Sequence, residues 1–350
     1  VEVADDHEVS GDSGRSVWTL VGAVVVLAFL AALIIGNRGE FPNAWHAVRH
    51  ARPAWLAVAG AAMVASLLNL GMFHAAAQRA AGLDTTPLAL VGPAVGANFL
   101  NLVTKSGGLA GLVEIRAEAR RRDLPRPPVL AAYLLVVLMG EWTFAVTLLM
   151  TLVVVWANGH LFTAEVVASC VFAVVLGVKV VATMAAWRSR AALHRLYSWP
   201  MRVRAWITRR PSPPWDTTAA EEFADSLAII RQRPRRAIPV VAHAFAVEVL
   251  GIVQLYAVVA AVGQGHHIVV AFVAYSVGVL FAIVGFLPGG LGFVEVSVTA
   301  VLISFDVEAG AAAAAVLLYR VVELWLPVAI GGALTLRSRR MARSRVASAG

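Results

Sequence analysis

Residues 268–305 form one apolar run that is broken at Pro288-Gly289-Gly290 and that carries a carboxylate, Glu295, shortly after the break. Proline lacks the N–H that a helix needs and its ring clashes with the preceding turn, while a glycine pair leaves the backbone free to turn sharply. In hydrocarbon every freed N–H and C=O must find a partner in protein or in a water-filled cavity. The break therefore predicts a packed or hydrated interior at this point, and an ionisable group inside such a run marks a candidate functional site.

The phrase occurs twice. Gly107-Gly108-Leu109-Ala110-Gly111-Leu112-Val113-Glu114 repeats Gly289-Gly290-Leu291-Gly292-Phe293-Val294-Glu295 with one extra residue. Upstream, Val95, Gly96 and Phe99 fall opposite Val277, Gly278 and Phe281; downstream, Glu141 and Trp142 fall opposite Glu323 and Trp325. We read an internal duplication of about 87–157 (repeat A) against 269–336 (repeat B), chance similarity between two glycine- and valine-rich segments being the alternative.

With 59% hydrophobic and 14% charged residues and a mean hydropathy of +0.76, the chain is expected to be an all-α integral membrane protein. The net charge of +8 resides in arginines that flank apolar segments, where membrane orientation and anionic lipid explain it better than nucleic acid does. A single cysteine, Cys170, provides neither a disulfide framework nor a cysteine metal cluster. No metal or cofactor is expected: the adjacent His266 and His267 have no third ligand nearby and read as interfacial residues.

Residues 1–15 read as a disordered acidic tail, with Glu2, Asp5, Asp6, Glu8 and Asp12, and 337–350 as a basic tail, with 16–336 as a single transmembrane domain. Full spans are expected at Val17–Ile35, Ala54–Ala77, Val129–Trp156, Phe162–Trp187, Ala237–Val262 and Ala309–Leu336. Asn69 and His74, within the second, read as partners in helix packing rather than ligands. Pro87–Val103 with its continuation to Ile115 reads as a re-entrant hairpin, two tilted spans being the alternative, and Ile268–Phe286 with Leu291–Phe305 as a second hairpin. The segment 188–236, rich in arginine and tryptophan, suits either a membrane-surface segment or a solvated loop.

The loops 116–128, 188–236 and 337–345 are basic whereas 157–161, 263–267 and 304–308 are not, which places the basic set and both termini in the cytoplasm of a multi-pass cell-membrane protein. Threading the chain under that constraint gives a polytopic bundle of about six full spans plus two hairpins that enter from opposite sides as an inverted repeat. The loop 37–53, with Arg38, Arg49 and Arg52, falls on the minority side.

Glu114, Glu141, Glu248, Glu295, Glu323, Lys105 and Arg320 all stand in apolar segments or at their breaks. Each costs about 2.5–3.5 kcal/mol at the centre of a lipid-facing helix, so together they are expected to line an internal polar cavity or to pair. Arg320 and Glu323, three apart on one helical face, fit a structural pair as well as a ligand site. The amides of a helix resuming after each glycine pair, with Lys105 and Arg320, suit a phosphate, and the surplus glutamates suit an amine. Pairing of arginine and glutamate across the two repeats would give a rocking mechanism two closed arrangements.

Leu287-Pro288-Gly289-Gly290-Leu291-Gly292-Phe293-Val294-Glu295, followed by Leu318-Tyr319-Arg320 and Trp325-Leu326-Pro327, resembles the transmembrane flippase domain of the lysylphosphatidylglycerol synthase/flippase family and its stand-alone membrane-protein relatives. Asn98 through Gly111 with Arg116 is similar to that family's asparagine- and glycine-rich segment before a basic loop. The chain departs from the family where Ser106 replaces a frequent proline and Trp142 replaces an arginine after the carboxylate. The resemblance implies lipid translocation between leaflets, with Asn98, Gly107, Gly108, Glu141, Pro288, Gly289, Gly290, Glu295, Tyr319 and Arg320 as matching positions.

Adding Asn101 from the broken segment, the candidate substrate-binding set is Asn98, Asn101, Lys105, Gly107, Gly108, Glu114, Glu141, Glu248, Gly289, Gly290, Glu295, Tyr319, Arg320 and Glu323. The expected cargo is a charged phospholipid such as aminoacyl-phosphatidylglycerol. A polyprenyl-phosphate-linked glycolipid is the alternative cargo, and a membrane enzyme using Glu114, Glu295 and His243 on a lipid headgroup is the alternative activity. An enzyme is not expected, because no nucleophile–base motif and no P-loop occur in the sequence and the chain leaves little room for the family's soluble aminoacyl-transferring domain. Phospholipid and membrane are the expected partners; a separate lipid-modifying synthase and a second copy of the chain are others that the reading admits.

Overall fold

The computed structural model describes residues 48–104, 108–157, 163–188, 228–229, 232, 234–264, 268–285 and 287–334. The expected tails, the span at 17–35, Lys105 to Gly107, His266, His267 and most of 188–236 lie outside the described residues. Within them the chain is helical: α1 Pro53–Ala80, α2 Pro87–Thr104, α3 Leu109–Arg121, α4 Arg126–Ala157, α5 Thr163–Arg188, α6 Ile238–Ala261, α7 Ile268–Val284, α8 Phe293–Ser304 and α9 Ala309–Arg320. A short 3-10 turn, Pro234–Ala237, leads into α6; another, Pro288–Gly290, separates α7 from α8; and a π turn, Val321–Trp325, carries α9 onward to Leu334.

The ends follow from local chemistry. Pro53 opens α1, where a missing N–H costs nothing. Gly82, with φ at 86°, closes it by letting the Leu83 N–H reach the Gln78 carbonyl at 2.9 Å. Gly263, also at φ 86°, ends α6 in the same manner, through Gln264 N–H to Val259 O at 3.1 Å. At the start of α9 the Glu308 carboxylate accepts from the N–H groups of Gly310 and Ala311, both at 3.1 Å. Thr143, Thr147 and Thr151 of α4 satisfy their buried hydroxyls on carbonyls four residues earlier, at 2.9–3.0 Å.

Among the described residues, five helices are long and apolar enough to cross a membrane: Pro53–Ala80, Pro87–Thr104, Arg126–Ala157, Pro234–Ala261 and Ala309–Leu334. Large apolar residues stand exposed on them, Leu149, Val153 and Val249 among them, as a lipid-facing surface requires and a water-facing one would not. The chain is a multi-pass helical membrane protein. The two broken pairs differ in length: α2 reaches crossing length despite Pro93 within it, whereas α7 has 17 residues and α8 has 12. The order of a helix, a glycine break, a shorter helix and a long helix nonetheless occurs twice, as α2–α3–α4 and as α7–α8–α9.

One core of small and branched residues joins α6, α7, α8 and α9, with Leu255, Val273, Val298, Leu302 and Ala315 fully buried. A second joins α1, α4 and α6 through Phe73, Ala77, Ala131, Leu135 and Ala244. Asn69 fastens α1 to α6: its Nδ2 donates to the His243 carbonyl at 3.0 Å and its Oδ1 meets His243 Nδ1 at 2.7 Å. The reading of Asn69 as a packing residue describes this contact, and His74 is likewise buried, its ring 6.1 Å from that of Tyr133.

Candidate functional site: an arginine and three carboxylates behind the second break

The break between α7 and α8 depends on three glycines in left-handed conformations, Gly289 at φ 63°, Gly290 at 65° and Gly292 at 80°. A side chain at Gly290 would also be blocked, since its Cβ would lie 2.6 Å from Ala282 Cα. Such a turn exposes backbone groups, and here side chains take them up. Arg320 Nη2 donates to the Gly289 carbonyl at 2.8 Å, and the Gly292 N–H donates to Glu295 Oε2 at 2.6 Å.

Arg320 binds the rest of the cluster as well. Its Nε donates to Glu295 Oε1 at 2.7 Å and its Nη1 to Glu323 Oε2 at 3.0 Å. The guanidinium, with a side chain only 4% exposed, thus ties together the turn, the first residues of α8 and the π turn that follows α9. A buried charge is tolerable when its donors are matched in this way. Leu287 and Leu291 seal the turn against Leu324, with Leu102 and Val328 packed beside them. Leu102 comes from the end of α2, so the second break rests against the helix that leads into the first.

Glu248 lies deeper, on α6, and is 5% exposed. The Tyr275 hydroxyl hydrogen-bonds its side chain, and Glu248 Oε2 has no partner among the described residues. Gly251, three residues on along the same face of α6, makes room for the Tyr275 ring: a Cβ there would enter it. Tyr275 and Tyr319 are both buried and lie within electrostatic reach of Glu248 and Glu323, linking Glu248 to the Arg320 group. Of the residues expected from sequence, Gly289, Gly290, Glu248, Glu295, Tyr319, Arg320 and Glu323 are therefore brought together.

Among the described residues, Asn101 and Tyr133 bind the backbone at the first break. Gly108, at φ 101°, starts α3; the Tyr133 hydroxyl donates to its carbonyl. Asn101 Nδ2 donates to the Tyr133 oxygen at 3.0 Å, and Asn101 Oδ1 accepts from the Gly111 N–H at 2.6 Å. Asn101 and Gly108 thus meet, whereas Asn98 is exposed on α2. Glu114 on α3 and Glu141 on α4 are half-buried on helices of the first pair, and neither is bonded to Arg320. Lys105 and Gly107 lie outside the described residues.

Two expectations change. The phosphate cradle expected at the second break is already occupied: the leading amide of α8 is capped by Glu295 and Arg320 is held by carboxylates and a carbonyl, so an incoming anion would meet a carboxylate first. Arg320 pairs within the second half rather than across the two halves: its partners are Glu295 at the start of α8 and Glu323, three residues on from Arg320 itself. Sequence reasoning missed Tyr133, Tyr275 and Gly251. A tyrosine hydroxyl within an apolar span must find a partner, which is the signal that could have singled out the two tyrosines.

With two carboxylates on one guanidinium and a third, Glu248, linked to them through Tyr275 and Tyr319, a site in which all are ionised carries surplus negative charge and favours a cationic group or protons over a second anion. Residues 17–331 match the family model described as lysylphosphatidylglycerol synthase TM region. A UPF0104 membrane protein of Pyrococcus horikoshii is 24% identical over 120 residues, which cover 34% of this chain and 36% of that protein. The match thus spans about a third of the relative's length.

Proposed function

Because the chain belongs to the lysylphosphatidylglycerol synthase TM-region family, we propose that it is a lipid transporter, a flippase or scramblase, which moves a phospholipid with a cationic, aminoacylated headgroup between the leaflets of the cell membrane. The observation that carries this reading is Glu248, a carboxylate buried in a membrane helix with an oxygen unpartnered among the described residues, beside a second carboxylate group that Arg320 only partly neutralises. An ammonium headgroup supplies the donors and the charge that such a site lacks. The acid cluster lies behind a glycine turn, the part of the backbone best able to change shape as cargo passes.

In this reading the protein moves lipid and makes none. Glu248 and Glu323 meet the ammonium, Tyr275 and Tyr319 position it, and the Glu295–Arg320 pair keeps the turn closed until the headgroup competes for Glu295. Both termini lie in the cytoplasm, following the basic loops.

The test is translocation in proteoliposomes with fluorescent lysyl-phosphatidylglycerol and, separately, phosphatidylglycerol. Wild type is expected to move the aminoacylated lipid faster, and Glu248→Gln to reduce that rate at least tenfold while purifying as a folded protein. Equal rates for the two lipids, or for wild type and Glu248→Gln, would overturn the assignment.

A further inference from the structure

A cavity of about 570 Å³ opens between α1, α2 and α6 on the flank of the bundle, and its charged lining is wholly basic. Arg79 contributes from α1, Arg235 and Arg236 from the turn before α6, and His243 from α6, against an apolar wall that includes Met72 and Pro239. The lining contains no carboxylate, and none among the described residues forms an ion pair with these arginines. Three cations around one cavity repel one another unless an anion joins them.

The side chains are held for such a ligand. Arg79 Nη2 donates to the Thr85 carbonyl at 3.1 Å, which fixes the guanidinium and leaves its other N–H groups available. Pro234 and Pro239 restrain the backbone on either side of Arg235 and Arg236. His243 donates through Nδ1 to Asn69 Oδ1, which fixes its ring in the wall of the cavity and leaves the anion to the three arginines.

Guanidinium groups bind phosphate through paired, directed hydrogen bonds, and basic pockets between membrane helices suit anionic headgroups. The volume lies within the range of ligand sites. Ile238, between Arg236 and Pro239, is 66% exposed and Met72 is 38% exposed, so the cavity borders a surface suited to acyl chains.

We propose that this cavity binds the phosphate of an anionic phospholipid, independently of the carboxylate cluster and of translocation. It complements that cluster in charge: one site takes a cation, the other an anion.

The experiment is a binding measurement on the purified full chain in neutral detergent, with phosphatidylglycerol, phosphatidylcholine and inorganic phosphate as probes and no translocation step. Phosphatidylglycerol is expected to raise the melting temperature where phosphatidylcholine does not. Arg235→Gln/Arg236→Gln should weaken that binding by roughly tenfold or more, and Arg235→Lys/Arg236→Lys should restore most of it. Both arginines are exposed, so the unliganded fold should melt as wild type does. An equal shift with inorganic phosphate at matched concentration would overturn the lipid assignment in favour of the free anion. Equal binding by wild type and the glutamine variant would overturn the site. Because Glu248→Gln is not used, failure here leaves the translocation reading to its own test.

Discussion

Replacing Arg320 by methionine keeps an unbranched apolar stem and removes the charge together with three hydrogen bonds, to Gly289, Glu295 and Glu323. The Glu295 contact dominates, because the two side chains are 4% and 17% exposed and its loss strands a largely desolvated carboxylate. Breaking one partner of a buried pair costs about 3–5 kcal/mol. The Glu323 contact, 37% exposed on the acid side, adds about 0–1 kcal/mol once solvent screening is counted. Equilibrium unfolding of the purified chain in mixed micelles should therefore show Arg320→Met less stable by about 3–5 kcal/mol. Glu295→Gln keeps an oxygen for the Gly292 N–H while losing the ion pair, and the double variant should be less damaged than the sum of the singles by about 0.5–3 kcal/mol. Additivity within about 0.3–0.5 kcal/mol would refute the claim that these groups act on each other.

Gly290→Ala should destabilise the fold by about 2–5 kcal/mol in the same assay, combining left-handed strain with a clash against Ala282. Gly140→Ala, mid-helix with nothing within 4 Å of its Cβ, should stabilise by about 0.5–1 kcal/mol; equal effects at the two sites would refute the turn geometry. Tyr133→Phe removes the hydrogen bond to the Gly108 carbonyl and the acceptor of Asn101 Nδ2 and should cost about 1–3 kcal/mol, with faster hydrogen exchange at residues 108–112 as the local readout. Asn69→Ala removes both bonds to His243 and should cost about 1–3 kcal/mol; unchanged stability would mean that α1 and α6 need no polar fastening.

The class of the protein and the position of its breaks were legible because hydropathy and proline–glycine punctuation act locally. The Arg320–Glu323 contact was legible for the same reason, since three residues on a helix face each other. Arg320 reaching 31 residues back to the Gly289 carbonyl was not, because nothing in the spacing reports how α9 lies against the turn. The capping of α8 stood in the sequence unread: a glutamate three residues after the helix start is the capping-box position, yet its amide was expected to be open to a phosphate. Glu248 and Glu295 looked alike as intramembrane acids, yet one is tied to a guanidinium and the other to a tyrosine. That difference depends on Gly251 making room for a ring on the next helix.

The π turn at Val321–Trp325 sets the angular phase of everything beyond it. A wide turn holds one residue more than the winding on either side, so shortening it to an α turn would rotate the remainder of the helix by about 100°. That remainder includes Gly331, whose bare Cα accepts the Phe99 side chain of α2 at a spacing that leaves no room for a methyl group. The extra residue of this turn therefore decides whether the far end of the helix meets its neighbour, and a one-residue deletion there would take Gly331 away from Phe99.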